Sequence, residues 1–375
     1  MAVIDLLRTS AALRARVALR PGSVVLVDRF GELTAAELLD QVHLLGHRPR
    51  RAARHTPTRG LRVLPPDAAL RQVLLEALAG DGTLDVRSRG TVGGASTLHR
   101  GALSPTQLAT LVDLARRTGL RPGRRVASAA PGVHRHGLLV ALGALALGAP
   151  LVDLTHLSAS RRIALLHRAP PSLLTGVPVH LEDLLHADIE FGGHRPLRIP
   201  RIVSGTDLLP ETLRADLARH FHGRVHDVYG TTATGPLTVD GRTLRGVRLR
   251  SQDGLLRART PFTRGRTLTT DRGRIDPDGT VLVTGRTDGA VPAGGMIQDP
   301  GAVARLLRAQ PGIAAVQLRM VPGERSGSCA IAEVTLAPGM PVGLAPGPEE
   351  LRALVRDRLG AASVPSEVRL SSPER

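Results

Sequence analysis

The chain has 375 residues, 42% of them hydrophobic, so it can bury a sizeable core and has room for two domains or more. One cysteine, Cys329, excludes an internal disulfide and a cysteine-based zinc cluster, and no apolar run is long enough for a membrane-spanning helix. The formal charge of +17 leaves polyanion binding to be weighed, and the cytoplasm is the expected compartment.

The chain opens with MAVIDLLRTSAALRARVALR, which reads as an amphipathic helix lacking the apolar centre and cleavage site of a secretory signal. Asp5 and the immediate join to a strand argue against a mitochondrial presequence. SVVLVD (23–28) is a β-branched strand, FGE its turn, and Thr34 with Glu37 a capping box opening the helix TAAELLDQVHLLG. GHRPRRAARHTPTRGLR (46–62) then carries six arginines and no acid. It reads first as a solvated surface segment, and without interleaved aromatics for base stacking, nucleic acid is only a remote alternative. No lysine occurs anywhere, so all 50 basic residues are arginine, a pattern that reads as coding bias.

GTLDVRSRGTVGGAS (82–96) leads into Ser104-Pro105-Thr106-Gln107, where an N-cap serine, a first-turn proline and a glutamine mark the start of PTQLATLVDLARRTG. RRVASAA (124–130), GAPLVDL (148–154) and RIVSG (201–205) are apolar strand candidates with helical patterns between them. That alternation predicts an α/β protein with a mainly parallel, covered sheet. From about Leu237, short alternating runs split by Asp-Gly turns predict antiparallel hairpins. Beyond Arg286 come a glycine-rich crossing, a helix, two strands and a further helix. Residues 287–375 hold nine arginines and nine acids, so the whole positive excess lies in 1–286. The expected fold is therefore α/β: a large N-terminal α/β domain with layered, mainly parallel sheets and a β-hairpin-rich section, over 1–286. A small α+β C-terminal domain follows over 287–375.

Four stretches carry chemistry. RSRGTVGGAS (87–96) is a glycine- and hydroxyl-rich turn, which taken alone is usually only a turn. AAPGVHRHGLLVALGALALGAPLVDL (129–154) starts a small-residue helix at His134 and His136. Their i, i+2 spacing turns them to different helix faces, so they make a poor metal pair. RIVSGTDLLPETLRADLARHFHGRVHDVYGTTATG (201–235) runs strand, helix, strand, and then a polar loop holding the only tyrosine of the chain, Tyr229. TLTTDRGRIDPDGTVLVTGRTDG (267–289) spaces Asp271, Arg286 and Asp288 along a hairpin.

In their order and spacing these stretches resemble the adenylate-forming superfamily: acyl-CoA synthetases, adenylation domains of peptide synthetases, and luciferases. The first matches the phosphate loop T-S-G-T-T-G-x-P-K-G, aligning Ser88, Gly90, Thr91, Gly93 and Gly94. The second matches P-L-F-H-x-x-G-L at the mouth of the acyl pocket, where His134 and His136 would touch substrate, although a packed or capping role fits each equally well. The third matches S-G-G followed by Y-G-x-T-E. The resemblance implies that Gly205 and Thr206 line adenine, Tyr229 stacks on it, Gly230 leaves room, and Thr231 and Thr232 donate to the α-phosphate. The fourth implies that Asp271 and Arg286 hold the ribose hydroxyls and that Asp288 is the hinge of a mobile small domain.

The implied chemistry is attack of a carboxylate on ATP, giving an acyl-adenylate and pyrophosphate, then capture by the thiol of coenzyme A or of a carrier protein. Three charge-handling groups of the family are replaced or missing. Ala233 stands where a glutamate helps hold Mg²⁺, Ser96 stands at the phosphate-loop lysine, and the chain ends in ASVPSEVRLSSPER, before the P-x-x-x-x-G-K loop. A methyl group cannot ligate a hard cation, so no metal ligand is assigned. The expectation is an AMP-forming acid–thiol ligase-like protein, acting on a fatty or aromatic acid, with impaired adenylation. The alternative is a catalytically degenerate relative that binds adenylate or a partner protein.

Overall fold

The computed structural model describes residues 9–46, 69–79, 86–88, 96–98, 103–130, 135–155, 157–193, 196–231, 233–286, 291–293, 296–298, 300–321, 329–341, 345–359 and 364–371. The chain divides into two compact units, with the division falling between Leu282 and Val283.

In chain order the larger unit contains α1 (Thr9–Leu19), β1 (Val24–Asp28), β2 (Gly31–Thr34), α2 (Ala35–Gly46), α3 (Leu70–Ala79), β3 (Val86–Ser88) and β4 (Ser96–Leu98). There follow α4 (Pro105–Thr118), β5 (Val126–Ser128), α5 (Arg135–Leu147), β6 (Leu151–Asp153), α6 (Ala159–Arg168), β7 (Leu173–Gly176) and α7 (Pro178–Phe191). Next come β8 (Arg201–Gly205), α8 (Glu211–His220), β9 (Arg224–Thr231), β10 (Gly235–Val239), β11 (Arg242–Thr243), β12 (Arg248–Gln252), β13 (Leu255–Arg259) and β14 (Leu268–Ile275), and the division falls within β15 (Val281–Arg286).

A nine-stranded sheet runs in the order β11-β10-β9-β8-β7-β5-β6-β1-β2. The central run from β9 to β1 is parallel, with an antiparallel hairpin at each end. Both faces are covered, which is why the strands read as continuous apolar runs rather than as alternation. Ala127, Val152, Leu174, Ile202 and Val225 face a core built with α6, α7 and α8, anchored by Leu166, Leu181 and Phe221. Their immediate neighbours Val126, Leu151, Leu173 and Val203 face the other core, with Leu13, Leu38, Leu70 and Ala144. One-residue alternation between two apolar cores is the two-faced signature of a doubly wound sheet.

Helix starts follow the sequence. Ser104 Oγ accepts from the Gln107 N–H at 3.2 Å while Gln107 Oε1 accepts from the Ser104 N–H at 2.9 Å. Thr34 and Glu37 exchange the same pair of bonds before α2. Chain order fixes the direction of the crossovers: after β5 the chain moves to β6 on one side, then returns to β7 on the other. Open α/β sheets place ligand crevices at the carboxyl ends of strands around such a reversal. The carboxyl ends here lead into Ala129–Ala130 after β5, into Thr206 after β8 and into the loop that follows Thr231, the last residue of β9.

The four-stranded sheet β12-β13-β14-β15 follows in sequential order. In the smaller unit, β16 (Val291–Ala293) pairs with β17 (Met296–Gln298). Helices α9 (Pro300–Arg308) and α10 (Pro348–Leu359) pack on a sheet of β18 (Ile313–Val321), β19 (Cys329–Leu336) and β20 (Glu367–Ser371), around Leu307, Val334 and Val355.

At the far edge of the large sheet, Asp28 is 3% exposed and accepts from Arg71 Nε and Nη2, each at 2.9 Å, and from the Phe30 N–H at 2.8 Å. This two-pronged pair fixes α3 to the end of β1, and Arg29 and Arg71 both lie over the Phe30 ring. Asp28→Ala leaves the guanidinium of Arg71 without its acceptor, and should destabilise the fold by about 3 kcal/mol in urea denaturation.

Candidate functional site

The site grows from the β8–β9 pair. Their parallel register, with Gly205 opposite Val228, brings Thr206 beside Tyr229 at the carboxyl edge of the sheet. Thr206 holds φ at +70°, a left-handed conformation that a β-branched residue rarely adopts. Its position matches the second glycine of the S-G-G pattern, so the backbone keeps the glycine geometry at a cost of roughly 1–2 kcal/mol.

Tyr229 leaves β9 half-buried, its ring against the small core of Leu237, Val239 and Leu244. Its hydroxyl donates to Asp271 Oδ2 at 2.7 Å and lies 3.0 Å from Thr270 Oγ1, which itself donates to the Leu256 carbonyl at 3.2 Å. Asp271 is only 4% exposed. The ring from the third motif and the carboxylate from the fourth, 42 residues apart in sequence, are thus in direct contact. At Gly230 a Cβ would come within 2.5 Å of the Gly235 carbonyl oxygen, because β10 crosses close there. Close strand packing therefore requires this glycine, whatever lies beside it.

The loop after Tyr229 is closed by hydroxyls. Thr231 Oγ1 lies 2.8 Å from Thr234 Oγ1 and accepts from the Thr234 N–H at 3.2 Å, while the Thr231 N–H reaches Thr234 Oγ1 at 3.3 Å. Since the Thr234 hydroxyl donates to the Gly235 carbonyl at 3.1 Å, the proton between the two hydroxyls belongs to Thr231. To donate to a phosphate, Thr231 must give up that bond. The loop is also tied to the turn after β13, where Thr260 Oγ1 donates to the Thr234 carbonyl at 2.8 Å. Ala233 is exposed on this loop. Its side chain offers no lone pair where the family places its glutamate, and among the described residues no cluster of three His, Cys, Asp or Glu side chains could hold an ion. Among the described residues the donor set does not fit Mg²⁺.

Behind Tyr229 on β9 sits a titratable cluster. His226, 3% exposed, donates from Nδ1 to Asp240 Oδ2 at 2.8 Å, and the Asp227 N–H donates to Asp240 Oδ1 at 2.9 Å. Burial opposes ionisation of Asp240, but these two donors outweigh it and hold its carboxyl below the usual range. Asp227 has the opposite balance. Burial pushes its carboxyl up to about 6, and the pull of Arg214 does not compensate.

Several expected site residues have only part of their surroundings described. Ser88 ends β3 opposite Ser96 on β4, while Gly90, Thr91, Gly93 and Gly94 lie outside the described residues. His134, Thr232 and Asp288 also lie outside them. His136 is the second residue of α5, and Arg286 is the last of β15. Sequence reasoning missed Thr234, Thr260 and Thr270, whose hydroxyls organise the loop. It also missed the Asp227–His226–Asp240 cluster, because Asp240 reads locally as a turn residue of the Asp-Gly pair. The available signal was the threonine density of GTTATG and LTTDRG.

A doubly wound sheet with a tyrosine–aspartate contact and a hydroxyl-rich loop at its carboxyl edge defines the class. Residues 91–286 match the AMP-binding enzyme family, and the chain belongs to that family, within the adenylate-forming superfamily. It is 27% identical over 290 residues to a 4-chlorobenzoate–CoA ligase from Pseudomonas sp. (strain CBS-3), covering 66% of this chain and 55% of that protein. The chain therefore spans about half the length of this relative. Among solved structures it resembles the amide bond synthetase McbA from Marinactinospora thermotolerans, with TM-score 0.70, 20% identity, and 96% of this chain and 95% of that one covered. A malonyl-CoA ligase ternary product complex with methylmalonyl-CoA and AMP bound gives TM-score 0.68 at 20% identity, covering 94% and 96%. At these identities the structural likeness establishes the fold.

The raised carboxyl of Asp227 has a thermodynamic consequence. A folded value of about 6 against 3.8 means that ionisation in the fold costs stability, absent below about pH 4 and fully present above about pH 6. Asp227→Asn should therefore be more stable than the parent at pH 7.5, by up to about 3 kcal/mol at 1.36 kcal/mol per unit. The two proteins should converge near pH 4, and urea unfolding across pH 4–8 reads the difference.

Proposed function

We propose that this chain binds ATP and a carboxylic acid and forms an acyl-adenylate, which is then passed to a thiol, with coenzyme A the acceptor suggested by its ligase relative. The observation that carries this reading is the contact between Tyr229 and Asp271, two residues that the family's motifs assign to adenine and ribose. In the reaction a carboxylate oxygen attacks the α-phosphorus, the bond to the bridging oxygen breaks, and pyrophosphate leaves. The thiol sulfur next attacks the acyl carbonyl and AMP departs. This chain's residues contribute positioning: a planar ring at adenine, a buried acceptor at the ribose, and hydroxyl donors near the α-phosphate. The described donor set fits no metal, so no step is routed through one.

A second reading is favoured by specific residues. Ala233 replaces the glutamate and no lysine exists in the chain, so adenylate binding without efficient turnover is the competing function. Loss of one charged stabiliser typically costs about a hundred- to a thousand-fold in rate. Both readings share the adenosine pocket and differ in pyrophosphate release.

Calorimetric titration with ATP and AMP tests the pocket. Asp271→Asn keeps an acceptor for the Tyr229 hydroxyl but removes the charge, and should weaken AMP binding by about ten- to a hundred-fold. Tyr229→Phe keeps the ring and should cost less than about tenfold. An unchanged affinity in Asp271→Asn removes the ribose assignment. Turnover is tested separately: Ala233→Glu should raise acid-dependent pyrophosphate release if adenylation survives, and no release from either protein leaves the binding-only reading.

A further inference from the structure

The outer face of the sheet β12–β14 is a two-dimensional array of arginines. In the β12–β13 register Arg248 lies directly opposite Arg259 and Arg250 opposite Arg257. Arg272 and Arg274 continue the same exposed face on β14, while Leu256, Ala258, Thr270, Asp271 and Gly273 point to the buried side. Among the described residues only Arg274 has an acidic partner, Asp276 at 2.9 Å; Arg248, Arg250, Arg257, Arg259 and Arg272 have none. Like charges directly opposite on antiparallel strands oppose pairing. Two such pairs side by side are a standing electrostatic cost, which an anionic surface laid against them would relieve.

We infer that this face docks the protein on an anionic phospholipid surface. Cross-strand neighbours are spaced by about 5 Å and same-strand neighbours by about 7 Å, so the guanidinium groups sample a plane rather than a line. A bilayer presents charge over a plane, whereas a nucleic-acid strand presents a line of phosphates. A broad sheet face has no helix or two-stranded ribbon to enter a duplex groove, and it carries no aromatic residue for bases to stack on. A protein partner is disfavoured too, because the array lacks the apolar centre of a protein–protein interface. No helix among the described residues is long and apolar enough to cross a membrane, so the attachment is peripheral and electrostatic. Asp271 projects from the opposite side of the same strand, so occupancy of the arginine face leaves the candidate site uncovered. The inference does not depend on the proposed reaction.

Flotation of the full chain with vesicles tests it. Vesicles of phosphatidylcholine with about one-third phosphatidylglycerol should bind the protein at low salt and release it at about 0.5 M salt, and pure phosphatidylcholine should not bind it. Replacing Arg248, Arg250, Arg257 and Arg259 with Gln should weaken vesicle binding by at least about a hundredfold. This variant should melt no lower than the parent, since it removes repulsion. A charge-matched control replaces the exposed Arg121, Arg124, Arg161 and Arg168 with Gln and should retain most of the binding. Should the four-site variant fold poorly, Arg250→Gln with Arg257→Gln removes one opposed pair and should show about a tenfold loss. Absence of wild-type binding, unchanged binding in the face variants, or equal loss in the control each overturns the assignment. Tighter binding to a 30-base-pair duplex, lost with the same four arginines, overturns it in favour of nucleic acid.

Discussion

The hydrogen bond from Tyr229 to Asp271 joins the nine-stranded sheet to the hairpin sheet at the candidate site. Tyr229 ends the parallel run of the nine-stranded sheet, and Asp271 lies on the third strand of the hairpin sheet. Asp271 is only 4% exposed, and the Tyr229 hydroxyl supplies its buried carboxyl with a hydrogen-bond donor. The single tyrosine in the chain therefore has a structural role, beside the adenine contact proposed for it. Phenylalanine would keep the ring and lose the link. One turn further on, the bond from Thr260 to the Thr234 carbonyl ties the β9–β10 loop, closed by the Thr231–Thr234 clasp, to the turn after β13.

Around that link the molecule accepts local costs. Thr206 holds a glycine-like φ of +70°, and Asp227 carries a carboxyl raised to about 6 by burial, with Arg214 only partly compensating. Neither stabilises the fold, and both lie within a few residues of Tyr229 along β8 and β9. A strained backbone at Thr206 and a desolvated carboxyl at Asp227 on adjacent strands are features that accompany functional sites. By contrast, the Asp28–Arg71 pair at the opposite edge of the sheet is fully matched, with two guanidinium bonds and a backbone donor.

Much of this was legible in the sequence, for definable reasons. Capping boxes at Thr34–Glu37 and Ser104–Gln107 depend on residues three apart, and both appear as read. RIVSG is a strand over the expected span because β-branched and apolar residues at a covered position have few alternatives. RRVASAA and GAPLVDL shrink to three-residue strands, since flanking arginine, glycine and proline residues end the pairing. Strand order was not legible: nothing local in β5 says that β6 falls on one side and β7 on the other. The arginine face was invisible for the same reason, because the opposition of Arg248 to Arg259 exists only in the register. Tyr229 and Asp271 were each legible as motif residues. Their contact was not, since it depends on how the hairpin sheet meets the parallel one.

Where the positive charge lies bears on what the proposed site can do. Chemistry at an α-phosphorus gathers negative charge, and a chain without lysine must meet it with arginine, backbone N–H groups or hydroxyls. Arginine's planar fork fixes two donors at once and cannot follow a moving phosphate as a compact ammonium does. The hydroxyls that structure describes near the loop are already engaged, Thr231 with Thr234 and Thr234 with Gly235. Each can turn to a phosphate oxygen only by exchanging one bond for another, and the charged acceptor makes the new bond about twice as strong as the old. That exchange returns about 1 kcal/mol per hydroxyl, against roughly 3–4 kcal/mol for each charged or oxyanion-stabilising group removed. On the proposed reading, holding an adenylate asks less of these groups than stabilising the transition state that makes one, because contacts to adenine and ribose meet no developing charge.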